Sequence, residues 1–140
     1  MISVMIVDDH ALVRETWSFI LKTFPDIGEV YECSSGGEAI ESAGSLKPDV
    51  ILMDINMEPV SGIEATREIM RLYPGIKIIG VSTHAERYYV RGMFAAGAGG
   101  YVTKNSSMAE MITAIRTVAN GECFLCAELG ELPLLEAQAH

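Results

Sequence analysis

The sequence predicts an α/β domain built on a doubly wound parallel sheet, and three observations carry that prediction. Short β-branched, apolar runs alternate with stretches of helical spacing, and the pair repeats five times. Apolar strands alternating with helices call for a parallel sheet covered on both faces. Four of the five strand runs end in polar side chains, at the edge where open parallel sheets bind ligands.

The elements follow in order. Residues 2–7 form an apolar run that ends in Asp8-Asp9. Leu12, Val13, Trp17, Ile20 and Leu21 then fall at helical spacing, and Pro25 stops the helix. Residues 28–33 are a short second strand. Ser35 and Glu38 stand at capping-box spacing and open a second helix, weakened by Gly36, Gly37 and Gly44. Residues 50–53 are a third strand ending at Asp54. A helix over 62–73 turns Ile63, Ile69, Met70 and Leu72 inward until Pro74-Gly75 ends it. Residues 76–81 are the fourth strand, and 86–96 a helix with Gly97 placed as its C′ residue. Residues 101–103 are the fifth strand. Ser107 and Glu110 then open a last helix, with Met111, Ile112, Ile115 and Val118 inward and Asn120-Gly121 at its end. The predicted domain covers residues 1–121. Residues 122–140 fall outside the pattern and read as a linker or C-terminal tail, with 128–139 a short helix or part of that tail.

Length and composition set the limits. A chain of 140 residues with 49% apolar and 21% charged residues suits one domain. The net charge is −9 and the ten basic residues are scattered, which argues against nucleic-acid contact by this segment. No apolar run approaches the ~20 residues of a membrane helix, and the first residues lack the basic start of a secretory signal. A cytoplasmic location is the resulting expectation. Of the three cysteines, Cys33 reads as core. Cys123 and Cys126 have C-x-x-C spacing, but with no second pair to complete a zinc site they read as two semi-buried thiols.

The chemistry gathers at the strand ends. Asp8 and Asp9 follow strand one, Asp54 strand three, Ser82 and Thr83 strand four, and Lys104 strand five. A single Asp in such a place reads equally well as a helix cap or loop residue; the coincidence across four strands raises the functional reading. Clustered carboxylates repel one another unless a cation sits among them, and Mg²⁺ takes hard oxygen ligands. Asp54 as nucleophile would form an acyl phosphate. Lys104 and the metal would offset charge on the phosphoryl oxygens, and Ser82 could bond one of them once attached.

Five blocks, in order, resemble the receiver domain of two-component response regulators. They are Met5-Ile-Val-Asp-Asp-His10, Val50-Ile-Leu-Met-Asp-Ile-Asn-Met57, Gly62-Ile-Glu-Ala65, Val81-Ser-Thr-His84 and Gly97-Ala-Gly-Gly-Tyr-Val-Thr-Lys104. The first and fourth are most similar to the NarL/FixJ-type (LuxR-family) regulators. The resemblance implies a five-stranded, CheY-like sheet of strand order 2-1-3-4-5. It implies that Asp54 takes a phosphoryl group from a sensor histidine kinase. Asp8, Asp9, Asp54 and the backbone carbonyl of Asn56 would hold Mg²⁺. Ser82 would be the switch hydroxyl, Lys104 would pair with the phosphoryl group, and Tyr101 would be the aromatic that follows Ser82. Such a domain catalyses its own phosphorylation and dephosphorylation and turns over no separate substrate. A homodimer is a further expected partner, without an assigned face. The NarL/FixJ type usually carries a C-terminal DNA-binding domain, so the segment reads as a receiver excised from a transcription regulator; a stand-alone receiver acting through protein contacts is the alternative.

Two departures mark the chain. Glu58 occupies the slot where the family usually has Pro, with Pro59 next, and Asn105 follows the lysine where Pro is frequent. Glu58 reads as a solvated loop acid that could alter metal affinity or dephosphorylation. His10 and His84 read as solvated loop residues with no triad. Tyr88, Tyr89 and Met93 with Tyr101 form either a partner-binding face or an ordinary helix packed on the sheet. A phosphohydrolase of the haloacid-dehalogenase type would want an Asp at position 56, and Asn56 cannot serve as its general acid. A pseudo-receiver that never takes phosphate is disfavoured by the intact acids and lysine.

Overall fold

A computed structural model describes residues 1–83, 87–127 and 129. The chain runs β1(Ile2–Val7), α1(Ala11–Leu21), β2(Ile27–Cys33), α2(Gly36–Leu46), β3(Val50–Asp54), α3(Gly62–Leu72), β4(Lys77–Ser82), α4(Arg87–Ala95), β5(Gly100–Thr103), α5(Met108–Ala119) and β6(Phe124–Leu125). Every pair in the sheet is parallel, in the order β2-β1-β3-β4-β5-β6.

Alternation along each strand divides the core in two. Met5, Val7, Ile51, Met53 and Ile78 face one side, against Ala39 and Ala43 of α2, Ala65 and Ile69 of α3, and Val90 and Met93 of α4. Val4, Ile6, Val50, Leu52, Ile79 and Val81 face the other, against Leu21 of α1 and Met111, Ile115 and Val118 of α5. Burial on both faces is why these strands are apolar throughout. Burying each such side chain contributes roughly 1.5–3 kcal/mol, which sets the pairing register firmly.

Helix starts follow their caps. Ser35, Ser61 and Ser107 each accept a hydrogen bond from the N–H three residues on, a contact that contributes about 1 kcal/mol per helix. Ser61 and Glu64 close the full reciprocal box, a signal present in the sequence as Ser-x-x-Glu. In the predicted box at Ser107, the Glu110 carboxylate instead accepts from the Ala127 N–H at 2.7 Å.

The expectation of five strands is corrected by β6. Gly121, in the left-handed region at φ +87°, turns the chain after α5. Phe124 N–H then donates to Gly99 O at 3.0 Å and Cys126 N–H to Tyr101 O at 3.1 Å. An edge strand with unpaired carbonyls takes up whatever extended chain returns beside it. Two residues are too short to show a period of two, so the pattern missed them. Cys126 is thereby buried and Cys123 stays exposed. Burial raises the thiol of Cys126, and raises that of Cys33 to about 11. Leu72, expected inward, is 42% exposed; Ala65, Thr66 and Ile69 cover that face instead. His84, residue 86 of the expected fourth helix, and residues 128 and 130–140 of the expected tail lie outside the described residues. Among the described residues no helix is long and apolar enough to cross a membrane.

Candidate functional site

Strand register brings the predicted side chains together. Val7 pairs with Met53, so Asp8 and Asp54 leave adjacent strands side by side. Asp54 pairs with Val81, and Ser82 with Thr103, so Ser82 and Lys104 each emerge one step farther along the same edge. The edge lies where strand order reverses between β1 and β3, the crevice position of open parallel sheets.

Backbone contacts hold this edge. Asp8 N–H donates to Cys33 O at 3.1 Å, Ile55 N–H to Val81 O at 3.2 Å, and Lys104 N–H to Ser82 O at 2.9 Å. The turn after β3 is tight. A Cβ on Gly62 would stand 2.2 Å from the Asp54 carbonyl oxygen, so only glycine lets α3 begin there.

Side-chain geometry is compact. Lys104 Nζ lies 3.1 Å from Asp8 Oδ2 and 3.7 Å from Asp54 Oδ2. Asp54 is 2% exposed, and its Oδ1 accepts the Asn56 N–H at 3.1 Å. Asn56 Nδ2 donates to Ser82 Oγ at 3.2 Å. Burial, first of all, lifts the Asp54 carboxyl above the usual carboxylate range; Asp8 and Asp9 lift it further, while the Asn56 N–H and the Lys104 ammonium pull it down. Ligand atoms of Asp8, Asp9, His10 and Asp54 all lie within 4.8 Å of one another. Three carboxylates this close, two of them buried, fit a hard divalent cation that accepts oxygen donors and retains water.

Other residues behave differently from expectation or were not foreseen. His10 is exposed in the loop after β1, as expected, but its Nδ1 also lies 3.1 Å from Asp8 Oδ1 and 3.0 Å from Asp9 Oδ1. Arg14 Nη1 donates to the Asp8 carbonyl at 2.7 Å, and its Nε lies 3.5 Å from Glu32 Oε1. Arg14 thus ties the acidic loop to α1 and β2; its place one turn after His10 was the available signal. Thr103 Oγ1 is buried with no hydrogen-bond partner among the described residues. Glu58 is exposed and lines an open groove of about 550 Å³ with Asp9, Asn56, Tyr88 and Tyr89. Met93 and Tyr101 are fully buried, so of the four residues weighed as a partner face only Tyr88 and Tyr89 reach the surface. Those two rings meet edge to face at 5.3 Å.

Residues 4–116 match the family described as the response regulator receiver domain. The chain is a member of that family. It is 39% identical over 131 residues to the response regulator GacA of Pseudomonas viridiflava, covering 94% of this chain and 61% of that protein. It is also 39% identical over 124 residues to the transcriptional regulatory protein DegU of Brevibacillus brevis, covering 89% and 52%. A crystal structure of a LuxR-family two-component response regulator from Aurantimonas superposes with a TM-score of 0.90 at 31% identity, covering 100% of this chain and 99% of that one. The receiver therefore belongs with the LuxR-family regulators, and it spans a little over half the length of these curated relatives. As in the family, it is a phosphorylation-dependent receiver domain of a two-component system. Its acidic cluster is typical of a Mg²⁺-dependent phosphoaccepting site.

Proposed function

We propose that Asp54 is the residue that accepts the phosphoryl group, and that this event controls transcription through a DNA-binding segment outside these 140 residues. The single observation behind the first part is the placement of a buried carboxylate 3.7 Å from Lys104 and beside Asp8 and Asp9. An Asp54 oxygen attacks phosphorus, the bond from phosphorus to the kinase histidine nitrogen breaks, and the imidazole leaves as the Asp54 acyl phosphate forms. Lys104 offsets charge on the phosphoryl oxygens at this edge. Asp8, Asp9, Asp54 and the Asn56 carbonyl would hold Mg²⁺, which when bound would offset negative charge on the carboxylates and the phosphoryl oxygens. Ser82 then bonds a phosphoryl oxygen. That contact exists in one state only, so it can shift a conformational equilibrium, with Tyr101 as the aromatic that follows it.

The transcriptional part is supported by the greater length of the relatives and by their names. The net charge of −9 agrees, because it leaves DNA contact to another segment. Residues 1–121 make up the body of the receiver, Phe124–Leu125 add an edge strand to its sheet, and the rest of 122–140 is a linker or C-terminal tail; a homodimer of receivers is the arrangement such regulators would use on paired DNA half-sites. Acetyl phosphate with Mg²⁺ should add one phosphoryl group to the wild type and none to Asp54→Asn, measured by intact-protein mass. Equal labelling of both proteins would reject the assignment.

A further inference from the structure

Asn56 makes two contacts with two parts of the site. Its backbone N–H donates to Asp54 Oδ1 at 3.1 Å, and its side-chain Nδ2 donates to Ser82 Oγ at 3.2 Å. Ser82 is fully buried and Asp54 is 2% exposed, whereas Asn56 stands at the surface of the loop after β3. One surface residue thus bridges two buried ones on neighbouring strands.

The direction of the second contact matters. A serine hydroxyl has one proton to donate and two lone pairs to accept with. With an amide N–H directed at Oγ, the serine proton points away from Asn56. A phosphoryl oxygen can only accept, so a hydroxyl is useful to it only as a donor. We propose that the Asn56 side-chain amide is a positioning residue that sets the polarity of the Ser82 hydroxyl, so that the hydroxyl meets a phosphoryl group on Asp54 as a donor. This gives Asn56 a side-chain task separate from the metal-binding carbonyl, and it rests on the assignment of Ser82 as the phosphoryl contact.

The test is a double-mutant cycle on affinity for beryllofluoride, a mimic of the phosphoryl group, in the presence of Mg²⁺. Trp17 is the only tryptophan. It lines a small cavity together with Asp8 and Asp54, and so reports binding by fluorescence. Mg²⁺ affinity from the same titration separates effects on the metal from effects on the hydroxyl. Asn56→Ala should weaken beryllofluoride binding about 5- to 10-fold when Ser82 is present, the size of one lost hydrogen bond. The same change should cost less than about twofold in a Ser82→Ala background, because the two effects are coupled. Asn56→Asp can only accept from the hydroxyl and reverses its polarity; its loss should likewise shrink in the Ser82→Ala background, where its added charge still acts. Equal losses in both backgrounds would overturn the proposal and leave Ser82 as the phosphoryl contact. If Ser82→Ala binds beryllofluoride like the wild type, the Ser82 assignment falls and the proposal falls with it, while labelling at Asp54 is judged separately. Thermal melts of each variant confirm that folded protein is compared.

Discussion

Asp54 and Asp26 are both aspartates at the rim of the same sheet, one at each end, and their environments push their carboxyls in opposite directions. Asp26 precedes β2 and is gripped by Arg116, with Nε to Oδ2 at 2.6 Å and Nη2 to Oδ1 at 3.0 Å. That two-pronged contact lowers its pKa, with little burial to oppose it. At the other end Asp54 has its cation 3.7 Å away, two acids nearby and almost no water, and its pKa is raised. A carboxylate that serves structure finds its counter-charge within the fold. Asp54, the proposed phosphoryl acceptor, is left short of positive charge, which a divalent cation can supply.

The largest expected effect concerns the cation the fold does supply. Removing the Lys104 ammonium with Lys104→Ala should slow labelling by acetyl phosphate on the order of 100-fold, as loss of a charge-stabilising donor typically does. The measurement is the initial rate at saturating Mg²⁺. A rate near that of the wild type would mean the 3.7 Å contact is as passive as a surface ion pair.

Stability should show the contrast next. The folded pKa of Asp54 lies above the unfolded one, so between the ordinary value of 3.8 and the raised one the native state binds more protons. Stability therefore falls as pH rises through that window, and the loss persists at neutral pH. Asp54→Asn should melt several degrees above the wild type at pH 7 without metal, and the gap should close below pH 3.8. Saturating Mg²⁺ should raise the wild-type melting temperature and narrow the gap from the other side. A variant that melts lower at pH 7 would show that Lys104 overcompensates the burial.

Asp26→Asn should give the smallest and opposite change. Its folded pKa is lowered, so its stabilising share is present above the unfolded value of 3.8 and fades as pH falls through the folded pKa. Exposed pairs contribute little, so the melting temperature at pH 7 should drop less than Asp54→Asn raises it. High salt should erase the Asp26 effect and leave that of Asp54 largely intact.

Much of the site was legible because its residues stand at strand ends, where a parallel sheet has to gather them. Asp8, Asp9, Asp54, Ser82 and Lys104 all lie along one edge, as the alternation of runs requires. His10 and Arg14 were not legible in the same way. His10 looks like any loop histidine until the turn after β1 folds it onto Asp8 and Asp9. Arg14 looks like a helix surface residue until its guanidinium reaches back to the Asp8 carbonyl.

By itself, the sequence determined the five strand-and-helix units, the serine caps of α2 and α5, the two-sided sheet and the polar edge at its strand ends. Those properties depend on local spacing and burial, which pattern reports directly. Tertiary structure alone decided the sixth strand, because two residues at Phe124–Leu125 acquire an identity only from the open edge of β5 beside them. It also decided the two opposite fates of Asp26 and Asp54. A carboxyl group takes its pKa from water, cations and acids that come from distant parts of the chain, and no spacing of residues records those distances.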